Sequence, residues 1–309
     1  MYSPNQTRRP PMVTILAIAA CVYIFLMLNA QRTPEAMARF GVLEEWDLYN
    51  GKWWGLITSA FAHIEPLHLL FNMYWLWILG GAFESRFGSL MLLGFIGLTA
   101  LVSGGLQFAF GGAGIGMSGV GYALLGFGWV ARNNTPEFAR VVTNQTIKLF
   151  VIWGVICIVA TQLKLMNIGN VAHFGGLAFG AALAAAFSES RAQLPATAGV
   201  LALIALAVTP IYWNPLSVDW VSLEALKAMR KQRYDEAIRL YERSIEMGQD
   251  EVWALDGVAR SQGLKGDAAG MVETLQILDG IDRGAANQIR RDFNLLPAEP
   301  KPNPETPAP

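Results

Sequence analysis

One serine and three histidines are the residues of this chain best suited to covalent chemistry. Ser118 stands between glycines inside a stretch, 89–130, that contains no charged residue. The chain has three histidines in all, His63, His68 and His173. A serine hydroxyl becomes a good nucleophile when a neighbouring base takes its proton, and an imidazole often serves as that base. These residues predict nucleophilic catalysis by Ser118, provided that the fold brings a histidine to it.

A short helix must position this serine. The apolar run 117–131 covers about 22 Å as a helix, whereas a bilayer core is about 30 Å thick. A helix that begins near Met117 therefore starts below one membrane surface, and Gly116 and Gly119 allow backbone to approach it closely. The glycine-rich segment before it must lie inside protein or line a water-filled cavity. Taken alone, Ser118 could equally be a small residue at a helix contact.

The composition is typical of a protein that crosses the membrane several times. Hydrophobic residues make up 53% of the chain and charged residues 15%. Apolar runs recur at membrane-spanning length, so we predict an all-α polytopic fold. The seven predicted spans are 13–28, 67–83, 90–110, 117–131, 147–163, 170–187 and 196–213.

Basic residues in the loops predict the orientation of these spans. With the N-terminus in the cytoplasm, the inner loops hold Arg8, Arg9, Arg86, Arg132, Arg140 and Arg191. The outer loops then hold fewer, namely Arg32, Arg39, Lys52 and Lys164. Excess basic charge marks the cytoplasmic side. Seven spans then place the C-terminal segment outside the cytoplasm. We expect a multi-pass protein of a bacterial plasma or inner membrane. The net charge of −1, without a basic cluster, gives nucleic-acid binding no support.

The polar residues of spans two, four and six are expected to meet at one depth. His68 and Asn72 are four residues apart near the start of span two and share a helix face. Ser118 opens span four and His173 opens span six. Because these three spans enter from the same side, their polar residues lie near the outer leaflet. His173 could then act as the base, while His68, Asn72 and the free N–H groups of span four stabilise an oxyanion.

A stripe of small residues follows the histidine of span six. Ala172, Gly176 and Gly180 recur every four residues and so allow very close contact with a neighbouring helix. Such contact would bring His173 within reach of a serine on that neighbour.

Four sequence motifs resemble those of the rhomboid family of intramembrane serine proteases. The motifs are FAH at 61–63 with HLLFNM at 68–73, GGAFE at 80–84 with Gly88, GMSGVGYAL at 116–124, and AHFGG at 172–176 with Gly180. The resemblance runs through most of residues 1–213. It implies a six-helix bundle, here followed by a seventh transmembrane helix. Family members often carry Trp-Arg in the first outer loop, where this chain has Trp53-Trp54-Gly55.

The resemblance also implies a role for each candidate residue. Ser118 would be the nucleophile and His173 the general base. His68, Asn72 and the backbone amide of Ser118 would line the oxyanion hole, and Tyr122 would stack on His173. The supporting glycines would be Gly116, Gly119 and Gly176. The implied substrates are single-span membrane proteins within the lipid bilayer.

No acidic residue lies near the serine and histidine motifs, so a Ser–His dyad without metal or cofactor is predicted. His63 and His68 are five residues apart, about 140° around a helix, and no HExxH motif occurs. The spacing of the two histidines therefore argues against a zinc site. The resemblance implies that His63 and Glu84 are structural hydrogen-bonding residues. Two other classes stay open. A catalytically silent rhomboid-like binder of membrane clients would not need both Ser118 and His173, and a transporter would need more charges in its spans.

The amino-acid composition changes after Trp213, and we predict five segments along the chain. We expect a cytoplasmic tail (1–12), the six-helix rhomboid core (13–190), the seventh transmembrane helix (191–215), a tetratricopeptide-like helical domain (216–296) and a disordered proline-rich tail (297–309). Residues 232–245 resemble the second helix of a tetratricopeptide repeat, and 251–279 form a poorer second unit with its turn at 263–267. This domain would bind a peptide or protein partner; a small helical cap on the last span is an equal alternative.

Overall fold

The computed structural model describes residues 10–31, 33–188 and 191–295. Arg8, Arg9, Arg32, most of the predicted N-terminal tail and the predicted disordered tail lie outside these residues. The described residues form helices and contain no β-strand. The helices up to Trp213 are α1 (Met12–Gln31), α2 (Pro34–Arg39), α3 (Glu45–Tyr49), α4 (Gly55–Thr58), α5 (Pro66–Trp75), α6 (Gly81–Phe87), α7 (Ser89–Gly111), α8 (Ser118–Ala131), α9 (Pro136–Val141), α10 (Asn144–Gln162), α11 (Asn170–Ala186) and α12 (Gln193–Tyr212).

Each predicted span coincides with helical structure, but span two is not one regular helix. A π-helical segment, Leu76–Gly80, separates α5 from α6. Among the described residues, α1, α7, α10 and α12 are long and apolar enough to cross a membrane. The apolar helices α8 and α11 are shorter, as expected for helices that begin inside the bilayer. Several apolar helices of this kind fit a rhomboid membrane bundle.

Glu84 joins three helices at one end of the bundle. Its carboxylate accepts hydrogen bonds from the backbone N–H of Val13 and Thr14, each at 2.9 Å, at the start of α1. The hydroxyls of Thr14 and Ser89 donate to it at 2.8 and 2.6 Å. A buried carboxylate needs such donors. Glu84 is therefore a structural hydrogen-bonding residue that links α6 to α1 and α7.

Helix α8 lies at the centre of the bundle, and α11 packs directly on its backbone. Every residue of α8 from Gly119 to Gly128 is buried. A Cβ atom added at Gly176 would collide with the carbonyl oxygen of Gly119, and one added at Gly180 would collide with that of Ala123. The absence of side chains at these positions is what lets the two helices approach this closely.

Helix α12 packs on the side formed by α7 and α11. A Cβ added at Gly105 of α7 would lie 2.5 Å from the carbonyl oxygen of Ala207. Around this contact, Val102, Phe179 and Val200 belong to one buried apolar cluster. The predicted seventh helix is therefore part of the same compact unit as the bundle.

The chain divides between Trp213 and Asn214 into two compact units, two residues before the predicted boundary. The second unit contains α13 (Val218–Arg230), α14 (Tyr234–Glu246), α15 (Glu251–Lys265), α16 (Ala268–Ile281) and α17 (Arg283–Asp292). Its turn between α15 and α16 is shorter than the predicted 263–267, because α15 continues to Lys265 and Gly266 then adopts φ +86°. Successive helices pack on one another around buried Tyr241, Val258 and Leu275.

Candidate active site

Ser118 is the first residue of α8, and Met117 is its N-cap. The residue before them, Gly116, has φ +105°, a conformation that favours glycine. A Cβ at Gly116 would also lie 2.5 Å from Cε1 of His68. The backbone N–H of Gly116 donates to the carbonyl oxygen of Ser59 at 3.0 Å. The sequence motif thus forms a sharp turn that presents the partly exposed serine at a helix N-terminus, where backbone N–H groups lack intrahelical acceptors.

The structure brings His173 to this serine. Nε2 of His173 lies 2.8 Å from Oγ of Ser118, and His173 is only 4% exposed. The two residues sit on α11 and α8, whose backbones touch at Gly176 and Gly119. Close helix packing therefore sets a distance at which the imidazole can take the hydroxyl proton.

The imidazole is held by stacking on an aromatic ring. The ring of Tyr122, one turn after Ser118, lies 4.6 Å from that of His173, with 11° between the planes. The hydroxyl of Tyr122 makes a long hydrogen bond, 3.5 Å, to the carbonyl oxygen of Phe150. Nδ1 of His173 is buried and has no hydrogen-bond partner within the described part of the chain. Within the described part of the chain, the imidazole beside Ser118 is therefore held by an aromatic ring and not by a carboxylate.

His68 and Asn72 lie on α5, which reaches the turn before Ser118. The His68 ring fills the space beside the α-carbon of Gly116, two residues before Ser118. Asn72 is 6% exposed, and its Nδ2 lies 3.1 Å from Nε2 of His63. An amide nitrogen carries two protons, so Asn72 keeps a second donor after this bond.

His63 has a larger part in this site than the sequence indicates. It is fully buried and lies before α5, which begins at Pro66, so helical spacing does not separate it from His68. The two imidazole centroids are 4.9 Å apart. Nδ1 of His63 lies 3.2 Å from the carbonyl oxygen of Phe61 and must donate to it, so Nε2 is an acceptor. That Nε2 accepts from the backbone N–H of Met117 at 3.3 Å. His63 therefore links Asn72 to the turn before Ser118.

Gln107 is a second residue that sequence reasoning missed. It is buried, at 6% exposure, and its Oε1 accepts from the backbone N–H of Ala172 at 3.2 Å. A polar amide within an apolar span was the available signal, because polar groups inside membrane helices are commonly functional.

The first loop explains one departure from the family pattern. A Cβ at Gly55 would lie 2.8 Å from Cδ1 and 2.9 Å from Cβ of Leu43. A side chain such as arginine would not fit there unless Leu43 moved. Trp53 and Trp54 are about half exposed, at 50% and 47%.

Among the described residues, no group of three or more His, Cys, Asp or Glu side chains could hold a metal ion.

A family model and a curated relative both resemble part of this chain. Residues 50–190 match the Rhomboid domain family. The chain is 37% identical over 178 residues to the rhomboid protease GlpG of Enterobacter sp. (strain 638), which is 55% of this chain and 61% of that protein. The chain thus covers less than two thirds of this relative. Both findings support the rhomboid family. Residues 50–190, which match the family model, include His63, His68, Asn72, Ser118 and His173.

Proposed function

We propose that this protein is an intramembrane serine endopeptidase that cleaves transmembrane segments of membrane proteins with a Ser118–His173 dyad. The observation that carries the proposal is the 2.8 Å contact between His173 Nε2 and Ser118 Oγ at the N-terminus of α8. The contact lies within a region that matches the Rhomboid domain family.

The proposed reaction is acyl transfer in two steps. Oγ of Ser118 attacks the carbonyl carbon of the scissile peptide bond while Nε2 of His173 takes the hydroxyl proton. The same Nε2 then gives this proton to the leaving amine nitrogen, so the peptide C–N bond breaks and an acyl-enzyme remains. In the second step His173 takes a proton from water, and the hydroxide attacks the ester carbonyl carbon. The ester C–O bond then breaks, and His173 gives the proton to Oγ of Ser118.

The negative oxygen of each tetrahedral intermediate needs donors already aimed at it. The backbone N–H of Ser118, the imidazole of His68 and the amide of Asn72 are the proposed donors. Their support is positional: Ser118 opens α8, His68 lies against Gly116, and Asn72 is anchored by His63. His63 is then a positioning residue for one donor.

The substrates that suit this arrangement are single-span membrane proteins. We place the protein in a bacterial inner membrane with its N-terminus in the cytoplasm and its C-terminal unit outside, so that water and an unwound substrate reach Ser118 near the outer leaflet. The loop arginines and lysines support this orientation through the positive-inside rule.

The decisive experiment uses full-length protein purified in detergent or reconstituted in liposomes. A serine-directed fluorophosphonate should label Ser118, and a single-span reporter should be cleaved. Ser118→Ala and His173→Ala should lose both signals, while Ser85→Ala, on the exposed side of α6, should keep them. Binding of the reporter without cleavage or labelling would favour the catalytically silent binder instead.

We also propose that the second unit forms two tetratricopeptide-like helix pairs that bind a peptide or protein partner. Support comes from α13 to α16, in which short turns join the helices and each helix packs on the next. A stop codon after Pro215 distinguishes this from a helical cap. If the second unit is a partner-binding module, its removal should leave the melting temperature of the membrane unit unchanged. If it is a cap on the last span, its removal should lower that temperature.

A further inference from the structure

Gln107 reaches from α7 to the first turn of α11, the helix that carries His173. Its Oε1 accepts a hydrogen bond from the N–H of Ala172 at 3.2 Å, across 65 residues of sequence. The side chain is 6% exposed, so water does not compete freely for this N–H. A buried hydrogen bond of this kind is costly to leave unmade.

The start of α11 needs such an acceptor from elsewhere. The first N–H groups of a helix have no intrahelical partner. The N-cap of α11 is Gly169, which has no side chain and makes no capping bond. The amide of Asn170 is directed to Thr161 of α10, at 2.8 Å. Gln107 therefore takes the place of an N-cap side chain, although it belongs to a different helix.

The same side chain also borders the loop that precedes the nucleophile. A Cβ at Gly169 would lie 3.2 Å from Oε1 of Gln107, and a Cβ at Gly114 would lie 3.3 Å from its Cγ. Gln107 thus fits between the start of α11 and the loop before Ser118. It contacts both segments that must hold their relative position for the 2.8 Å contact between His173 and Ser118.

We infer that Gln107 is a positioning residue: by capping α11 at Ala172, it holds the adjacent His173 at hydrogen-bonding distance from Ser118. This inference rests on the proposed dyad. Displacing a catalytic group by a fraction of an ångström lowers the rate of the chemical step far more than the affinity for substrate. The role therefore differs from that of a residue that only stabilises the fold.

Two substitutions at one position test the inference on the full-length protein. Gln107→Met keeps the length of the side chain but removes the acceptor, whereas Gln107→Glu keeps an acceptor oxygen. We expect Gln107→Met to lower kcat for reporter cleavage, and the rate of fluorophosphonate labelling, by about ten-fold, the effect of about 1.4 kcal/mol. KM should stay within about two-fold, and Gln107→Glu should restore most of the rate.

Thr99→Val is the matched control on the same helix. Thr99 is fully buried, and its hydroxyl donates to the carbonyl oxygen of Phe95 within α7. Its loss should lower the melting temperature without changing kcat. Should Gln107→Met fail to fold, Gly169→Ala decides. Its Cβ would lie 3.2 Å from Oε1, so Oε1 must shift, and kcat should fall in the same way.

The outcomes separate the two proposals. If wild type is labelled at Ser118 and Gln107→Met or Gly169→Ala leaves kcat unchanged, the positioning role is wrong and the dyad stands. The same holds if Gln107→Glu is as slow as Gln107→Met. If wild type is neither labelled nor active, the proposed function fails and the inference fails with it.

Discussion

The ring of Tyr122 lies face to face with the imidazole of His173, with centroids 4.6 Å apart and planes 11° apart. Both rings are buried. Among the described residues, the imidazole hydrogen-bonds only to Ser118, through Nε2. In the proposed dyad, the aromatic face would do the orienting that a third residue does in a triad.

This stacking predicts different effects for two substitutions at Tyr122. Tyr122→Phe keeps the ring and loses only the 3.5 Å bond to Phe150, so labelling should stay near the wild-type rate. Tyr122→Leu removes the stacked ring and should slow labelling by about two- to ten-fold, since such contacts contribute about 0.5–1.5 kcal/mol. Fluorophosphonate labelling rates measure both. Equal rates for Phe and Leu would show that the ring does not orient His173.

His68→Ala and Asn72→Ala should lower kcat with little change in KM. Removing one oxyanion donor costs about 10²–10³ in turnover, and donors that share one oxyanion give less than additive losses. Because His63 holds Asn72 at 3.1 Å, His63→Ala should also lower kcat, in addition to reducing stability. Reporter cleavage by the single variants and by the His63→Ala/Asn72→Ala double variant measures these effects.

The double variant should be no slower than the slower of its two single variants. Full additivity would mean that His63 acts independently of Asn72. Full activity of His68→Ala, together with an inactive but folded His63→Ala, would mean that His68 is the wrong histidine for the oxyanion hole.

Gly176→Ala should destabilise the bundle and slow labelling, because its Cβ would meet the backbone oxygen of Gly119. Overpacking of this kind costs about 1–3 kcal/mol. The matched control is Gly121→Ala on α8, where a Cβ has no atom within 4 Å. Melting temperature and labelling rate measure both. An unchanged Gly176→Ala protein would mean that α8 and α11 are not held by backbone contact.

The predicted orientation places residue 250 outside the cytoplasm. A reporter enzyme that is active only after export should therefore be active when fused there. A second reporter that works only in the cytoplasm should be silent at the same site. The reverse pattern would overturn the orientation or the number of membrane crossings.

Acid should weaken the second unit through Asp279. Its carboxylate accepts from Arg290 at 2.8 Å, and this partner lowers the pKa of Asp279 below its ordinary value of 3.8. A carboxyl whose pKa is lower in the folded state contributes stability above its unfolded pKa and loses it as pH falls through the folded value. The unit should therefore melt at lower temperature below about pH 4. Asp279→Asn should flatten this dependence.

Much of this protein follows from local sequence. The lengths of apolar runs predict the helices, and the small residues around Ser118 and His173 predict a helix start and a close helix contact. These features depend on a few consecutive residues or on helical periodicity. For the same reason, the motifs alone were enough to nominate Ser118 and His173 as partners.

Only the tertiary structure decided which other residues serve the site. His63 joins Asn72 to Met117, and Gln107 caps α11 from α7. His63 and Met117 are 54 residues apart in the sequence, and Gln107 and Ala172 are 65 residues apart. Helical spacing separated His63 from His68, but the chain bends before Pro66 and brings their rings together. Local patterns determine which elements form. Hydrogen bonds between distant segments depend on how those elements pack, because a buried donor takes whichever acceptor the fold brings to it.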